Sequence, residues 1–136
     1  MSDVNHTFIA DLQQLASNSD ALILAAAADK AEAIIDAQVL QALGKGGYLI
    51  NVARGKLVNE ADLVAALEAG EIAGAALDVF VDEPNVPEAL FGNEQVVLQP
   101  HRASATLQTR TRMGEMVVAS LVDSFAGKTP QGCVTG

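Results

Sequence analysis

Aromatic side chains make up only 4% of these 136 residues although half are apolar, so any core has to be aliphatic, built from Ala, Val, Leu and Ile. Cysteine is scarcer still. Cys133 stands alone near the C-terminal end, which excludes an internal disulfide and a cysteine-based metal cluster and fits a reduced compartment. Positive charge is short as well, with 8 Lys and Arg against 17 Asp and Glu, a net charge of −9 and a pI near 4.4. Bulk electrostatics therefore disfavours nucleic acid and anionic membranes, and an anionic ligand needs a local cluster of cations. Long hydrophobic runs are missing: the longest, residues 21–28, is far short of the roughly 20 residues that cross a bilayer. The first six residues have no basic segment and no apolar stretch behind them, so no secretory signal is expected. The expectation is a cytoplasmic protein with no metal, nucleic-acid or membrane partner.

What is present is an alternation of strand and helix along a chain long enough for one domain. Thr7-Phe8-Ile9 reads as a stub of strand, and residues 10–16 as a helix with Leu12 and Leu15 at a helical interval, stopped by Asn18-Ser19-Asp20. Ala21-Leu22-Ile23-Leu24-Ala25-Ala26 reads as a buried strand whose exit at Ala27-Ala28-Asp29-Lys30 forms a ligand-facing edge. Asp36 caps a helix carrying Val39, Leu40 and Leu43, closed by Gly44. Gly46 and Gly47 then introduce Tyr48-Leu49-Ile50-Asn51-Val52-Ala53, a strand read as buried on both faces, which ends in Arg54-Gly55.

Asn59 caps the next helix, with Asp62 at its third position, close to a capping box. Leu63, Val64 and Leu67 face the sheet and Gly70 ends that helix. Residues 73–80 form a strand of small side chains, and Pro84 and Pro87 keep the following loop irregular. Val96-Val97-Leu98 is a short strand running into Gln99-Pro100-His101. A long helix is expected over about 104–125, with Met113, Met116, Val117, Leu121 and Phe125 on one stripe, followed by a flexible tail over 128–136. The alternation predicts an α/β fold, a doubly wound parallel sheet with helices on both faces.

Three successive strands thus end in three functional groups: Arg54, Glu83 and His101. A parallel sheet brings its strand ends to one edge, where such folds carry their chemistry. A guanidinium grips a carboxylate through two hydrogen bonds, and an imidazole exchanges a proton near its unperturbed pKa of about 6.5. A carboxylate beside the ring favours the protonated form. Together they suit interconversion of a 2-keto acid and a 2-hydroxy acid with hydride from a cofactor. Taken singly each has a plainer reading: Arg54 as a scaffold ion pair, Glu83 as a solvated loop acid, His101 as a satisfied edge histidine. His6 lies in a polar stretch and has no assigned role. Asp78, an acid inside an apolar strand, requires a partner, a helix N-terminus or a ligand amide.

Ile50-Asn51-Val52-Ala53-Arg54-Gly55, Gly74-Ala75-Ala76-Leu77-Asp78-Val79-Phe80 through Asp82-Glu83-Pro84, and Pro100-His101-Arg102-Ala103-Ser104 resemble the three signature blocks of the D-2-hydroxyacid dehydrogenases. The likeness is to the glyoxylate and hydroxypyruvate reductase branch and covers residues 12–127. It implies that Arg54 holds the substrate carboxylate, that His101 is the general acid/base and that Glu83 orients and charges it. It also implies that Asp78, with backbone around Val52, Ala53 and Ala103, meets the nicotinamide side of NAD or NADP, bordered by Arg54 and His101. The loop near Ala25 and Ala26 would line the adenosine side, although Ala27-Ala28-Asp29-Lys30-Ala31 departs from the proline and threonine common in relatives.

The resemblance further implies a Rossmann-like sheet of which these residues hold only part. The first βαβ unit, whose G-x-G-x-x-G turn takes the pyrophosphate on backbone amides, is not among them. Gly44-Lys45-Gly46-Gly47 precedes a strand, and Gly127-Lys128-Thr129 has Val122 where a P-loop needs its first glycine. Residues 1–127 are therefore expected to be a partial NAD(P)-binding domain, the C-terminal part of an enzyme. The absent strand would lie beside residues 21–26. Burying one Leu or Ile contributes about 1.5–3 kcal/mol and a domain holds about 5–15 kcal/mol in all, so exposing Leu22, Ile23 and Leu24 would consume much of the stability. This edge is expected to pair with another copy, as in a dimer, or with a complementing chain.

Two other classes compete with the catalytic reading. One is a structural fragment or self-associating α/β module without catalysis. The other, a receiver-like phosphoacceptor domain, fails because no acidic pair follows the first strong strand and no lysine follows the last.

Overall fold

The computed structural model describes residues 6–26 and 33–133, so the expectations for Ala27-Ala28-Asp29-Lys30 and Ala31 lie outside the described residues. The chain divides into two compact units, 1–101 and 102–136.

In the first unit the order is α1 (Leu12–Ser17), β1 (Ala21–Leu24), α2 (Ala37–Leu43), β2 (Tyr48–Asn51), α3 (Glu60–Glu68), β3 (Gly74–Leu77) and β4 (Val96–Leu98). The helix starts follow from local capping. Asp11 accepts from the Gln14 amide, Asp36 from the amides of Gln38 and Val39, and Asn59 from those of Ala61 and Asp62. The box expected at Asn59 does not close on itself, because Asp62 Oδ2 accepts the Ala37 N–H at 3.0 Å and ties α3 to the start of α2. Thr7-Phe8-Ile9 forms no strand, and Phe8 is exposed.

The four strands are parallel and lie in chain order, β1-β2-β3-β4. Leu22, Leu49, Ala75 and Val96 share one row across the sheet, and Leu24, Asn51, Leu77 and Leu98 the last row. Leu22, Leu24, Leu49 and Leu77 pack in one apolar cluster with Ala16 of α1, Leu40 and Leu43 of α2, and Leu63 and Leu67 of α3. Right-handed crossovers that always step the same way across a sheet place their helices on the same face.

The Rossmann-like parallel architecture is therefore present, but β1 and β2 are covered on one face only. Their burial alternates, leaving Ile23 59% and Tyr48 52% exposed. Among the described residues of this unit, the helices on the second face are missing. The expected loss at the β1 edge also shrinks to one side chain, because Leu22 and Leu24 are each only 6% exposed. An edge strand bares its backbone groups, whereas its apolar side chains point up or down and are covered wherever a helix lies.

The second unit holds α4 (Leu107–Phe125). The helix, expected from about 104, starts at Leu107 because Thr106 accepts from the Thr109 amide and caps it there. Its stripe of Met113, Met116, Val117, Leu121 and Phe125 is exposed along its length. Of the tail expected to be flexible, residues 128–133 are described, with the Lys128 amide donating to the Asp123 carbonyl. Among the described residues, no helix is long and apolar enough to cross a membrane.

Candidate active site

The C-terminal ends of β2, β3 and β4 lie side by side, and the loops leaving them carry the expected functional groups. Asn51 closes β2. It is 1% exposed in the last buried row, its Oδ1 accepts the Ala53 N–H at 3.0 Å and its Nδ2 donates to the Arg54 carbonyl at 3.0 Å. One buried amide thus shapes the turn that presents Arg54. Arg54 is exposed, and its Nη1 donates to the Ala53 carbonyl at 2.7 Å. Among the described residues no carboxylate lies within ion-pair reach of its guanidinium.

After β3 the chain passes buried Asp78, whose amide donates to the Asn51 carbonyl at 3.0 Å, and turns at Phe80. Glu83 Oε1 accepts the Phe80 N–H at 3.0 Å and Oε2 lies 2.8 Å from His101 Nδ1. An ionised carboxylate only accepts, so Nδ1 carries the hydrogen and Nε2 is the nitrogen left for a ligand. His101 holds this position with φ +52, in the left-handed region that a non-glycine residue adopts at a cost. Arg54, Lys56, Phe80, Asp82, Glu83 and His101 line one cleft of about 380 Å³. A second recess of about 160 Å³ between Phe80, Pro84, Val86 and Pro100 opens beside the same Glu83 and His101. In a chain of net charge −9, the cleft gathers two cations and an imidazole with two carboxylates, Asp82 and Glu83.

The hydrogen bond with His101, aided by the Phe80 amide, holds the Glu83 carboxyl below its usual value of 4.5, while slight burial and the charge of Asp78 push the other way. A lowered folded-state value means that the stabilising contribution is present above the usual glutamate range and is lost as pH falls through the lowered value. Unfolding measured against pH should therefore show an extra loss of stability below about pH 4.5 in the native chain that Glu83→Gln lacks. Parallel curves for the two proteins would remove the pair from the folded state in solution.

Of the expected cofactor-side residues, Val52 is 46% exposed and Ala53 is buried, both in the turn that follows Asn51, whose carbonyl accepts the Asp78 N–H. Ala103 belongs to the second unit. Sequence reasoning gives Asn51 no role of its own, yet the signal that singles out Asp78, a polar residue inside an apolar strand, applies to it equally.

A parallel sheet with a cleft of charged side chains and an imidazole at its C-terminal edge defines a nucleotide-binding α/β domain of the Rossmann type. Residues 2–103 match the family model for the D-isomer specific 2-hydroxyacid dehydrogenase NAD-binding domain, and the chain belongs to that family. It is 47% identical over 128 residues to glyoxylate/hydroxypyruvate reductase A of Arabidopsis thaliana, covering 93% of this chain and 41% of that protein. It is 49% identical to 2-ketogluconate reductase of Gluconobacter oxydans over 90% of this chain and 40% of the other. A crystal structure of NADPH-dependent glyoxylate/hydroxypyruvate reductase from Sinorhizobium meliloti, in complex with citrate, superposes with a TM-score of 0.84 at 45% identity, covering 97% of this chain and 43% of that one. Another structure of that reductase holds NADP and malonate. The chain thus spans about 41% of the first curated relative it matches.

Proposed function

We propose that the chain supplies the catalytic part of an NAD(P)-dependent oxidoreductase that interconverts a small 2-keto acid, of the glyoxylate or hydroxypyruvate type, and its D-2-hydroxy acid. The observation that carries this is the Glu83–His101 pair, 2.8 Å apart, lining the same cleft as an exposed arginine. Arg54 grips the substrate carboxylate through two parallel hydrogen bonds. The nicotinamide, when bound, supplies a hydride to the keto carbon. His101 Nε2 gives its proton to the carbonyl oxygen, whose π pair becomes the new O–H bond, and takes that proton back in the oxidative direction. Glu83 holds the ring in the tautomer and orientation that leave Nε2 at the cleft and stabilises the ring while it is charged.

The residues present suit the nicotinamide end of NAD or NADP. Asp78, a buried acid just after β3 whose amide bonds the Asn51 carbonyl, is of the acceptor type that a carboxamide needs, and Val52, Ala53, Arg54, His101 and Ala103 are assigned to the same side in this proposal. They do not supply the pyrophosphate grip, since G-x-G-x-x-G is not among these 136 residues. By itself the chain should bind either dinucleotide weakly and turn over negligibly. Calorimetric titration with NADH and NADPH and an assay with glyoxylate check this, and ordinary rates from the isolated chain would overturn it. The setting proposed is the cytoplasm.

A second reading, a non-catalytic module that self-associates or docks a complementing chain, is favoured by the open β1 edge and by the exposed Ile23, Tyr48 and Val97 on the bare face. Light scattering decides it: a dimer without cofactor response supports the module, and a monodisperse monomer with slow amide exchange along β1 counts against it.

A further inference from the structure

Glu60 opens α3, where an acid normally does no more than favour the positive end of the helix. Its Oε1 instead reaches across 21 residues of sequence to accept the Val81 N–H at 2.8 Å. The adjacent amide, Phe80 N–H, is the one held by Glu83 Oε1 at 3.0 Å. Two neighbouring N–H groups of one loop are thus held by two carboxylates, and the second carboxylate aims its other oxygen at His101. Gly55 presses on the same peptide from the strand end that carries Arg54, since an added Cβ there would run into Phe80 C and O and Val81 N.

The geometry points to Glu60 as a positioning residue that fixes the Phe80–Val81 peptide and, through it, the aim of Glu83 at His101. It is not among the residues that line the cleft. Without the Glu60 acceptor the Phe80–Val81 peptide loses the bond that sets its plane, the backbone torsions at Phe80 shift, and the Phe80 N–H on the preceding peptide is no longer held in line with Glu83 Oε1. The inference rests on the reading of Glu83 and His101 as the working pair, but its structural part is testable without turnover.

Three variants separate positioning from helix capping. Glu60→Asp keeps the charge at the helix start but is one methylene too short, Glu60→Gln keeps the reach and an acceptor oxygen without the charge, and Glu60→Ala removes both. On the full chain, amide exchange at Val81 and the carbon-13 titration of the Glu83 carboxyl are followed by NMR. Asp and Ala should speed Val81 exchange by about tenfold or more, the factor expected for losing a hydrogen bond to a charged acceptor. The same two should move the Glu83 titration up toward the usual glutamate range, whereas Gln should leave both readouts near the native ones. Asp behaving like the native chain while Gln behaves like Ala would assign Glu60 to the helix dipole and overturn the inference. Fast Val81 exchange with an unmoved Glu83 titration would overturn it too. Should Glu60→Ala fail to fold, the Asp and Gln pair still decides. In an enzyme completed by a segment that carries the G-x-G-x-x-G turn, Glu60→Asp should lower kcat with little change in KM. A completed enzyme inactive even with Glu60 in place would count against the proposed reaction while leaving the NMR result standing.

Discussion

Replacing His101 with Ala should lower keto-acid reduction in the completed enzyme by about 10²–10⁴-fold in kcat, the usual worth of a positioned proton donor. The change removes Nε2, the nitrogen left facing the cleft, and strands Glu83 with one partner, the Phe80 amide. Arg54→Ala should act on the other parameter. Under the proposed role it removes a charge-assisted grip on the carboxylate, so KM should rise by about tenfold or more for each hydrogen bond lost, at about 1.5–3 kcal/mol apiece. Steady-state rates with glyoxylate or hydroxypyruvate separate the two effects. Activity intact after either change would end the role assigned to that residue. Loss in both variants of kcat alone, with KM untouched, would mean that Arg54 does not hold the ground-state carboxylate.

Gly55→Ala should cost about 3 kcal/mol of stability, at the upper end for an overpacked site. The methyl would meet the backbone of Phe80 and Val81, and backbone within a hydrogen-bonded loop cannot swing aside as a side-chain tip can. The outcome reads in the urea midpoint of the first unit and in the Glu83 titration, because the displaced peptide carries the Val81 amide that Glu60 accepts and is joined at Phe80 to the amide that Glu83 accepts. Gly70 provides the contrast. It has open space around its Cβ position but φ +63, so alanine there should cost only about 1 kcal/mol, through backbone strain alone. Equal effects at the two glycines would show that the Gly55 backbone does not lie against Phe80 in solution.

The elements whose causes are local were legible in the chain. Asp36 and Asn59 cap helices because their oxygens bond amides two or three residues away, and Gly44 closes α2 with φ +76. Val39, Leu40 and Leu43 are buried at the helical spacing that marked them. The face that each strand buries was not legible, because Ala21-Leu22-Ile23-Leu24 is apolar at every position and carries no period of two. Thr7-Phe8-Ile9 has strand-forming side chains but no strand beside it, and a strand needs a neighbour to satisfy its backbone.

The chain by itself determined that Arg54, Glu83 and His101 leave the ends of three successive parallel strands, since turn residues and apolar runs set those ends locally. Only the tertiary structure decided that Glu83 reaches His101 across 18 residues, that Glu60 takes the Val81 amide across 21, and that Asn51 in the buried last row shapes the Arg54 turn. Such bonds depend on strand order and on loop paths over the sheet. No spacing along a single strand or helix encodes them.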